Sequence, residues 1–198
     1  MNNKTMISMG LIAIFLGMMG CSGNDGDMDT PDASPYYFQF KVNSSQVDYT
    51  YTPETQQNLT GAYLVDQDNQ LHVMQLSGTE SIFSPNKNQL VIYLNHAEAF
   101  TTGITYSNNP SSHATVPSYF IMGYHDQDGD NYTAALNTTL TPLWESVQLT
   151  FDEITGDGIK GTFSGKLLQY DASAGQNLLI GQIEITEGKF HVPRNNEP

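Results

Sequence analysis

From residue 36 onward, apolar and polar residues alternate with a period of two, and this pattern limits what the chain can fold into. Phe38, Phe40 and Val42 are each separated by one residue that is polar or amphipathic. Because a strand sends successive side chains to opposite faces of a sheet, this alternation predicts a strand with one buried face. Beyond residue 35 no stretch sustains a helical period, and the best candidate for a short helix is 95–100.

The apolar runs are short and are separated by turn residues. Segments 66–70 and 126–130 consist of Asp, Asn, Gln and Gly, and each lies between two apolar runs, as in a hairpin. Roughly ten short strands joined in this way predict an all-β fold. We expect an antiparallel β-sandwich over residues 36–192, with a closed lipocalin-like β-barrel as the alternative. A body of this length buries enough surface to fold without disulfides.

Charge and cysteine content exclude several classes of function. The chain has 21 Asp and Glu against 7 Lys and Arg, for a formal net charge of −14. Nucleic-acid binding needs clustered cations to neutralise phosphates, so a nucleic-acid partner is not expected. The one cysteine, Cys21, excludes an internal disulfide and any site built from several thiolates.

The first twenty residues have the pattern of a signal peptide. Lys4 is followed by an apolar run over 6–20 that is too short to span a bilayer comfortably and that ends at Gly20-Cys21. This ending resembles the lipobox of bacterial lipoproteins, although Met18 and Met19 replace its usual Leu and small residue. The resemblance implies cleavage before Cys21 and lipid attachment to it, and therefore a membrane partner.

Residues 21–35 are predicted to form a flexible acidic tether. They include four Asp, two Gly and two Pro and almost no apolar side chain, so they cannot order themselves by burial. Such a tether reaches about 20 Å. Asp25, Asp27 and Asp29 are similar to the export signal of some surface lipoproteins of Bacteroidota. We therefore expect a lipid-anchored protein of the outer membrane, on its periplasmic or cell-surface face, with residues 193–198 as a tail.

The end of the chain resembles a lipoprotein family of Bacteroidota that has no established activity. The resemblance rests on Gly-Thr-Phe-Ser-Gly at 161–165, on Ile-Thr-Glu-Gly-Lys-Phe at 185–190 and on the opening strand at 38–43. In that family these segments are strands of one domain. A glycine often follows the asparagine of the opening strand, where this chain has Ser44. The resemblance therefore implies structure and brings no activity with it.

The sharpest local feature is the carboxylate series Asp126, Asp128 and Asp130. Alternate carboxylates can supply oxygen ligands to Ca²⁺, so a weak calcium site is one hypothesis. The EF-hand pattern fails, because Asn131 and Asn137 stand where that loop needs Gly and Glu. The competing interpretation, which we favour, is a solvated hairpin turn, for which Asp and Gly are common residues.

A second candidate site is aromatic. Trp144 follows a proline in a predicted loop, and Tyr119, Tyr124 and Tyr132 are close to it in sequence. A flat aromatic face beside Asp and Asn can stack a sugar ring and bind its hydroxyls, which makes a polysaccharide the favoured ligand. The competing interpretation, which we favour for Trp144 itself, is that this side chain closes one end of the core.

No catalytic motif is evident in the sequence. The five His show no metal-binding spacing, and Ser164 lies in a predicted strand rather than in a nucleophile elbow. Asp152 and Glu153 are adjacent and can act together only if the strand carries a bulge. We therefore predict a non-enzymatic binding or accessory protein without a cofactor, whose partner is a glycan or another surface protein. A hydrolase with dispersed carboxylates and a carrier of a small apolar ligand remain as alternatives.

Overall fold

A computed structural model describes residues 34–136, 146–171 and 178–195, and these residues form eleven β-strands and no helix. The all-β prediction is confirmed, with one strand more than the roughly ten expected. The strands are β1 Tyr37–Val42, β2 Ser45–Thr50, β3 Leu59–Asp66, β4 Leu71–Thr79, β5 Gln89–His96, β6 Thr105–Ser107, β7 Tyr119–His125, β8 Asn131–Leu136, β9 Val147–Ile154, β10 Gly158–Asp171 and β11 Leu178–Pro193.

All eleven strands belong to one antiparallel sheet that curls into a nearly closed barrel. Its main path runs β2-β1-β11-β10-β8-β7-β5-β4-β3, and β9 and β6 extend from β10. An isolated bridge from Gly61 of β3 to Arg194 brings the last strand of the path back to the end of β11. The continuous sheet agrees with the barrel alternative, whereas two separate sheets would define the sandwich that we preferred.

The long strands β10 and β11 explain why the strand pattern of the sequence was compatible with a sandwich as well as with a barrel. The first part of β10 pairs with β9, and Leu168 farther along pairs with Thr133 of β8. Strand β11 likewise pairs with β1 over 185–191 before it reaches β3. The hairpin of β10 and β11 therefore belongs to two layers of strands. We call β6, β9, β10, β11, β1 and β2 the first layer, and β3, β4, β5, β7 and β8 the second layer.

A bulge in β11 marks the place where this hairpin is irregular. Between Phe163–Gly165 of β10 and Ile185–Gly188 of β11, the register shifts by one residue, and it shifts again opposite β1. The extra residue on β11 is Glu187, which has a left-handed φ of 53°. Bulges of this kind bend a strand and increase its twist. A Cβ on the following Gly188 would lie 2.4 Å from the Phe163 carbonyl oxygen, so the Ile-Thr-Glu-Gly-Lys-Phe segment has a structural role.

The interior is filled by aromatic and aliphatic side chains from both layers. Phe38, Phe40, Phe163 and Phe190 form a chain of rings whose centroids lie 5.3–6.2 Å apart. Phe40 also contacts Tyr124 of the second layer at 5.7 Å. A Cβ on Gly78 would lie 2.6 Å from the Phe38 ring, so glycine lets the two layers approach closely here.

A buried asparagine fastens the two layers at the edge of the sheet. The Asn58 side chain is 2% exposed. Its Nδ2 donates to the carbonyl oxygens of Thr50 at 2.8 Å and of Thr79 at 3.1 Å, and its Oδ1 accepts from the Thr52 amide at 3.3 Å. Thr50 ends β2 and Thr79 ends β4, so one amide satisfies backbone groups of both layers.

Three expectations about local structure need correction. Residues 95–100 form no helix, because β5 continues to His96 and a bend follows. The last strand runs to Pro193, one residue beyond the predicted end of the body at 192. Arg194 and Asn195 also belong to the body, since the Asn195 amide donates to the Gly61 carbonyl oxygen. In the described part of the chain, no helix has the length and apolarity to cross a membrane.

The first hairpin turn shows how Ser44 replaces the glycine of the resembled family. Asn43 and Ser44 have φ values of 47° and 72°, and Val42 pairs with Ser45 on either side of them. A two-residue turn with both φ values positive strongly favours Asn-Gly. Ser44 therefore adopts a conformation that a glycine would take more easily.

Candidate functional site

The three predicted tyrosines do not form one aromatic face. Tyr124 is 5% exposed in the core and is the cross-strand partner of Tyr132, which packs against the same core. Tyr119 lies at an odd position of the same strand, on the opposite face, where it contacts Tyr93 at 5.8 Å. Trp144 and Cys21 lie outside the described residues. The predicted stacking face is therefore divided between two sides of the sheet.

The acidic hairpin turn uses one of its carboxylates internally. Asp126 Oδ1 accepts from the amides of Asp128 and Asp130, each at 2.9 Å. The turn at 66–70 repeats this arrangement, with Asp66 Oδ1 accepting from the amides of Asp68 and Asn69. Within the described ranges no group of three or more His, Cys, Asp or Glu side chains is placed to hold a metal ion.

The bulge on which an Asp152–Glu153 pair depends is present in β9. Glu153 faces Lys160 and Phe151 faces Gly161, which leaves Asp152 without a cross-strand partner. Both carboxylates are exposed on the outside of the sheet. They are adjacent in space as well as in sequence, but neither lines the clefts described below.

Two clefts meet on the outer face of the first layer, and together we call them the groove. The first has a volume of about 310 Å³ and is bordered by polar side chains of β9, β10 and β11. These are Gln148, Thr150, Thr162, Ser164, Glu187 and Lys189. The second, of about 480 Å³, is lined by Thr105, Ser112, His113, Ala114 and again Gln148. Gln148 therefore stands where the two clefts join.

Strand alternation places the groove residues on one face. In β9, Val147 and Leu149 are fully buried while Gln148 is exposed and Thr150 is partly exposed. Neighbouring strands continue the pattern, so that a row of mutually facing residues crosses all six strands of the first layer. In order the row is Thr105, Thr150, Thr162, Lys189, Gln39 and Asp48.

Hydrogen bonds and one ion pair order the side chains in and beside the groove. Thr105 Oγ1 and Thr150 Oγ1 are 2.9 Å apart. Lys41 Nζ donates to Glu187 Oε1 at 2.7 Å, so the carboxylate on the bulge is paired with the neighbouring strand. Gln39 Nε2 donates to Asp48 Oδ2 at 3.0 Å. The groove thus presents amide, hydroxyl, carboxylate and ammonium groups on strands, and Ser112 and His113 of the loop between β6 and β7 border its second cleft.

The most perturbed titratable groups lie in the interior, away from the groove. Tyr49 is 3% exposed, and its hydroxyl has no hydrogen-bond partner in the described chain. Burial raises the pKa of Tyr49 strongly, and nearby Tyr124 and Glu80 raise it further. Burial also raises the pKa of Tyr124, followed by the charges of Asp126 and Glu80. Because these groups are packed in the core, they do not mark a catalytic site.

Sequence reasoning did not identify the groove residues as a site. Gln148, Thr150, Thr162 and Ser164 are common types at outward strand positions, and nothing in their local spacing distinguishes them. The turn at 156–157 was a sequence signal for this site, because it makes β9 and β10 a hairpin and so brings their outward residues side by side. No protein-family model, no curated protein and no solved structure matches this chain.

Proposed function

We propose that this protein is a lipid-anchored, non-enzymatic glycan-binding protein of the outer membrane, and that the groove on the first layer is its binding site. The observation that carries the proposal is the joined pair of clefts, bordered by Gln148, Thr150, Thr162 and Ser164. Amide and hydroxyl groups both donate and accept hydrogen bonds, which suits a ligand made of hydroxyl groups. This site replaces the divided tyrosine face as the place where a glycan binds.

The direction and length of the groove suit a linear ligand. It crosses β6, β9, β10 and β11, which are neighbours in the sheet. Strands in a sheet are about 4.8 Å apart, so three spacings correspond to about 14 Å. A ligand of that length is an oligosaccharide of several units rather than a single sugar. Polar groups fixed on strands lose little freedom on binding, which favours affinity.

Two alternative functions fit the structure less well. Carriage of a small apolar ligand needs interior space, whereas in the described interior the Phe190 ring contacts both Phe38 and Phe151. Glycoside hydrolysis uses two carboxyl groups on either side of the bond to be broken. Among the described residues that line the groove, Glu187 alone carries a carboxylate, and Lys41 already pairs with it. Binding without catalysis is the simpler use of this site.

The proposed anchor explains how an acidic binding protein stays at the membrane. A chain with a formal net charge of −14 does not adhere to anionic lipids, since that attraction depends on Lys and Arg. Lipid attached to Cys21 supplies the affinity instead, because each buried CH₂ contributes about 0.8 kcal/mol. The acidic tether over 21–35 then leaves the groove free to reach a ligand.

Affinity electrophoresis of the full mature chain in gels that contain soluble polysaccharides tests the proposal. We expect at least one polysaccharide to retard the protein, and we expect Gln148→Ala with Thr162→Val to abolish the retardation. Gln75→Ala is the matched control, since Gln75 is an exposed strand glutamine of the second layer. Unchanged mobility of the wild type in every gel, or equal retardation of the groove variant, would refute the assignment.

A further inference from the structure

The lysines of this acidic chain are distributed unevenly over the sheet. Four lysines lie in described strands, and all four are on β1, β10 and β11, which are adjacent in the first layer. They are Lys41, Lys160, Lys166 and Lys189. The five strands of the second layer contain no Lys or Arg. The strand lysines are therefore concentrated on β10 and β11, which border the first cleft, and on the neighbouring β1.

Three of these lysines follow a diagonal across the outer face. Lys160 faces His191, two residues from Lys189 on β11. Lys189 in turn faces Gln39, two residues from Lys41 on β1. Diagonal neighbours of this kind in an antiparallel pair are about 7–8 Å apart. The diagonal passes through the cleft at Lys189, its middle member.

Lys189 is the one member of this diagonal that neither pairs with a carboxylate of the described chain nor faces one on a neighbouring strand. Lys41 is paired with Glu187, and Lys160 directly faces Glu153 on β9. Lys189 instead faces Thr162 and Gln39, and within the described residues its Nζ has no ion-pair or hydrogen-bond partner. An exposed ammonium that borders a cleft, beside hydroxyl groups and without a counter-ion, suits an anionic ligand group.

We propose that the groove selects anionic glycans, with Lys189 binding a carboxylate or sulfate group of the sugar chain. This inference rests on the proposed function, because it places the anion on a ligand that the groove already binds through Gln148 and Thr162. Isolated anionic groups along a glycan meet one free lysine at a time. A nucleic acid would instead bring a phosphate at every nucleotide toward a protein of net charge −14, which opposes binding.

Matched pairs of polysaccharides test the charge dependence directly. Partly esterified polygalacturonate, whose free carboxylates are isolated from one another, is compared with its full methyl ester, and sparsely sulfated dextran with dextran, by titration calorimetry of the full mature chain at low and at physiological salt. We expect one anionic polymer to bind at least about tenfold more tightly than its neutral partner, with weaker binding at higher salt. The polymer that shows the larger preference identifies carboxylate or sulfate as the group bound.

Substitutions of single lysines test whether the preference for the anionic polymer arises in the groove. Lys189→Gln should remove about tenfold in affinity for the anionic polymer and leave the neutral one unchanged, while Lys189→Arg should retain the preference. Lys87→Gln is the control, because Lys87 is exposed in the loop between β4 and β5. Equal binding of charged and neutral partners, or no effect of Lys189→Gln, overturns the inference and leaves the proposed function standing. No binding of any polysaccharide overturns both.

Discussion

The first and second layers have similar interiors and different outer faces. Inward positions in both carry buried apolar residues, for example Phe38 and Phe40 in β1 and Met74 and Leu76 in β4. Outward positions of the first layer carry the lysines, the bulges and the groove. The second layer has no strand lysine, and its β7–β8 and β3–β4 turns are acidic. The two layers are therefore alike in their interiors and differ in the chemistry of their outer faces.

The largest effect is expected where the backbone of the first layer is most crowded. A Cβ on Gly161 would lie 2.2 Å from the Thr150 carbonyl oxygen and 2.9 Å from the Phe190 ring. Gly161→Ala should therefore force β9 and β10 apart and cost about 3 kcal/mol of unfolding free energy. Urea denaturation followed by tyrosine fluorescence measures the loss.

Gly123 in the second layer is the matched control. A Cβ there would have its nearest neighbours at 4.0 Å, an ordinary contact distance. Gly123→Ala should change the unfolding free energy by less than about 1 kcal/mol, since alanine loses less backbone entropy than glycine. If both variants lost the same stability, the crowding would not be specific to the first layer.

An intermediate effect is expected at the contact between the layers. Asn58→Ala leaves the carbonyl oxygens of Thr50 and Thr79 and the amide of Thr52 without their partner, at a cost of about 2–3 kcal/mol. Asn108 is equally buried, but among the described residues its side chain makes one hydrogen bond, accepted from the Val147 amide, and its Nδ2 has no partner. Asn108→Ala should cost only about 1 kcal/mol. Thermal unfolding of both variants ranks them, and the reverse order would contradict the role assigned to Asn58.

The smallest change in unfolding free energy at neutral pH is expected from substitutions of the tyrosines that meet between the layers. Burial raises the pKa of Tyr49 in the folded state, so its contribution to stability is complete below pH 10 and is lost as the pH rises further. The slope for one such group reaches about 1.4 kcal/mol per pH unit. Tyr49→Phe removes a buried hydroxyl that has no partner, so stability at pH 7 should be unchanged or higher.

Urea midpoints measured from pH 7 to 11 distinguish Tyr49→Phe from Tyr124→Phe. The Tyr49 variant should lose less stability than the wild type above pH 10. Tyr124→Phe should also reduce the alkaline loss, because burial raises its pKa as well. A Tyr49 variant that followed the wild-type curve throughout would show that this hydroxyl ionises normally in the folded protein.

Much of the fold could be predicted from local patterns. Alternation in residues such as Phe38 and Phe40 gave the strands, and the Asp-rich turns gave two hairpins, because both signals act within a few residues. The sharing of β10 and β11 between layers could not be predicted in this way. This sharing depends on pairing between strands that are distant in sequence. Nothing in the sequence around Leu168 indicates that it pairs with Thr133.

The candidate site was less predictable than the fold. Tyr119 and Tyr124 are close in sequence, but five positions along a strand places them on opposite faces, so period two alone argued against a shared face. Lys189 and Thr162 are 27 positions apart, and the bulge at Glu187 decides how the residues on either side of it line up with β10. A left-handed glutamate has no recognisable sequence signal. The site could not be predicted because strand register, rather than residue type, determines which residues are neighbours in the groove.

The central position of β11 has a consequence for when the protein can fold. β11 is the final strand of the body, and it lies between β1 and β10 in the sheet. During synthesis β1 and β10 both remain without this partner until the segment Leu178–Pro193 has emerged. Contacts so distant along the chain also form slowly. A chain that must cross a membrane before folding would gain from this delay, because the sheet cannot be completed until its final strand has passed.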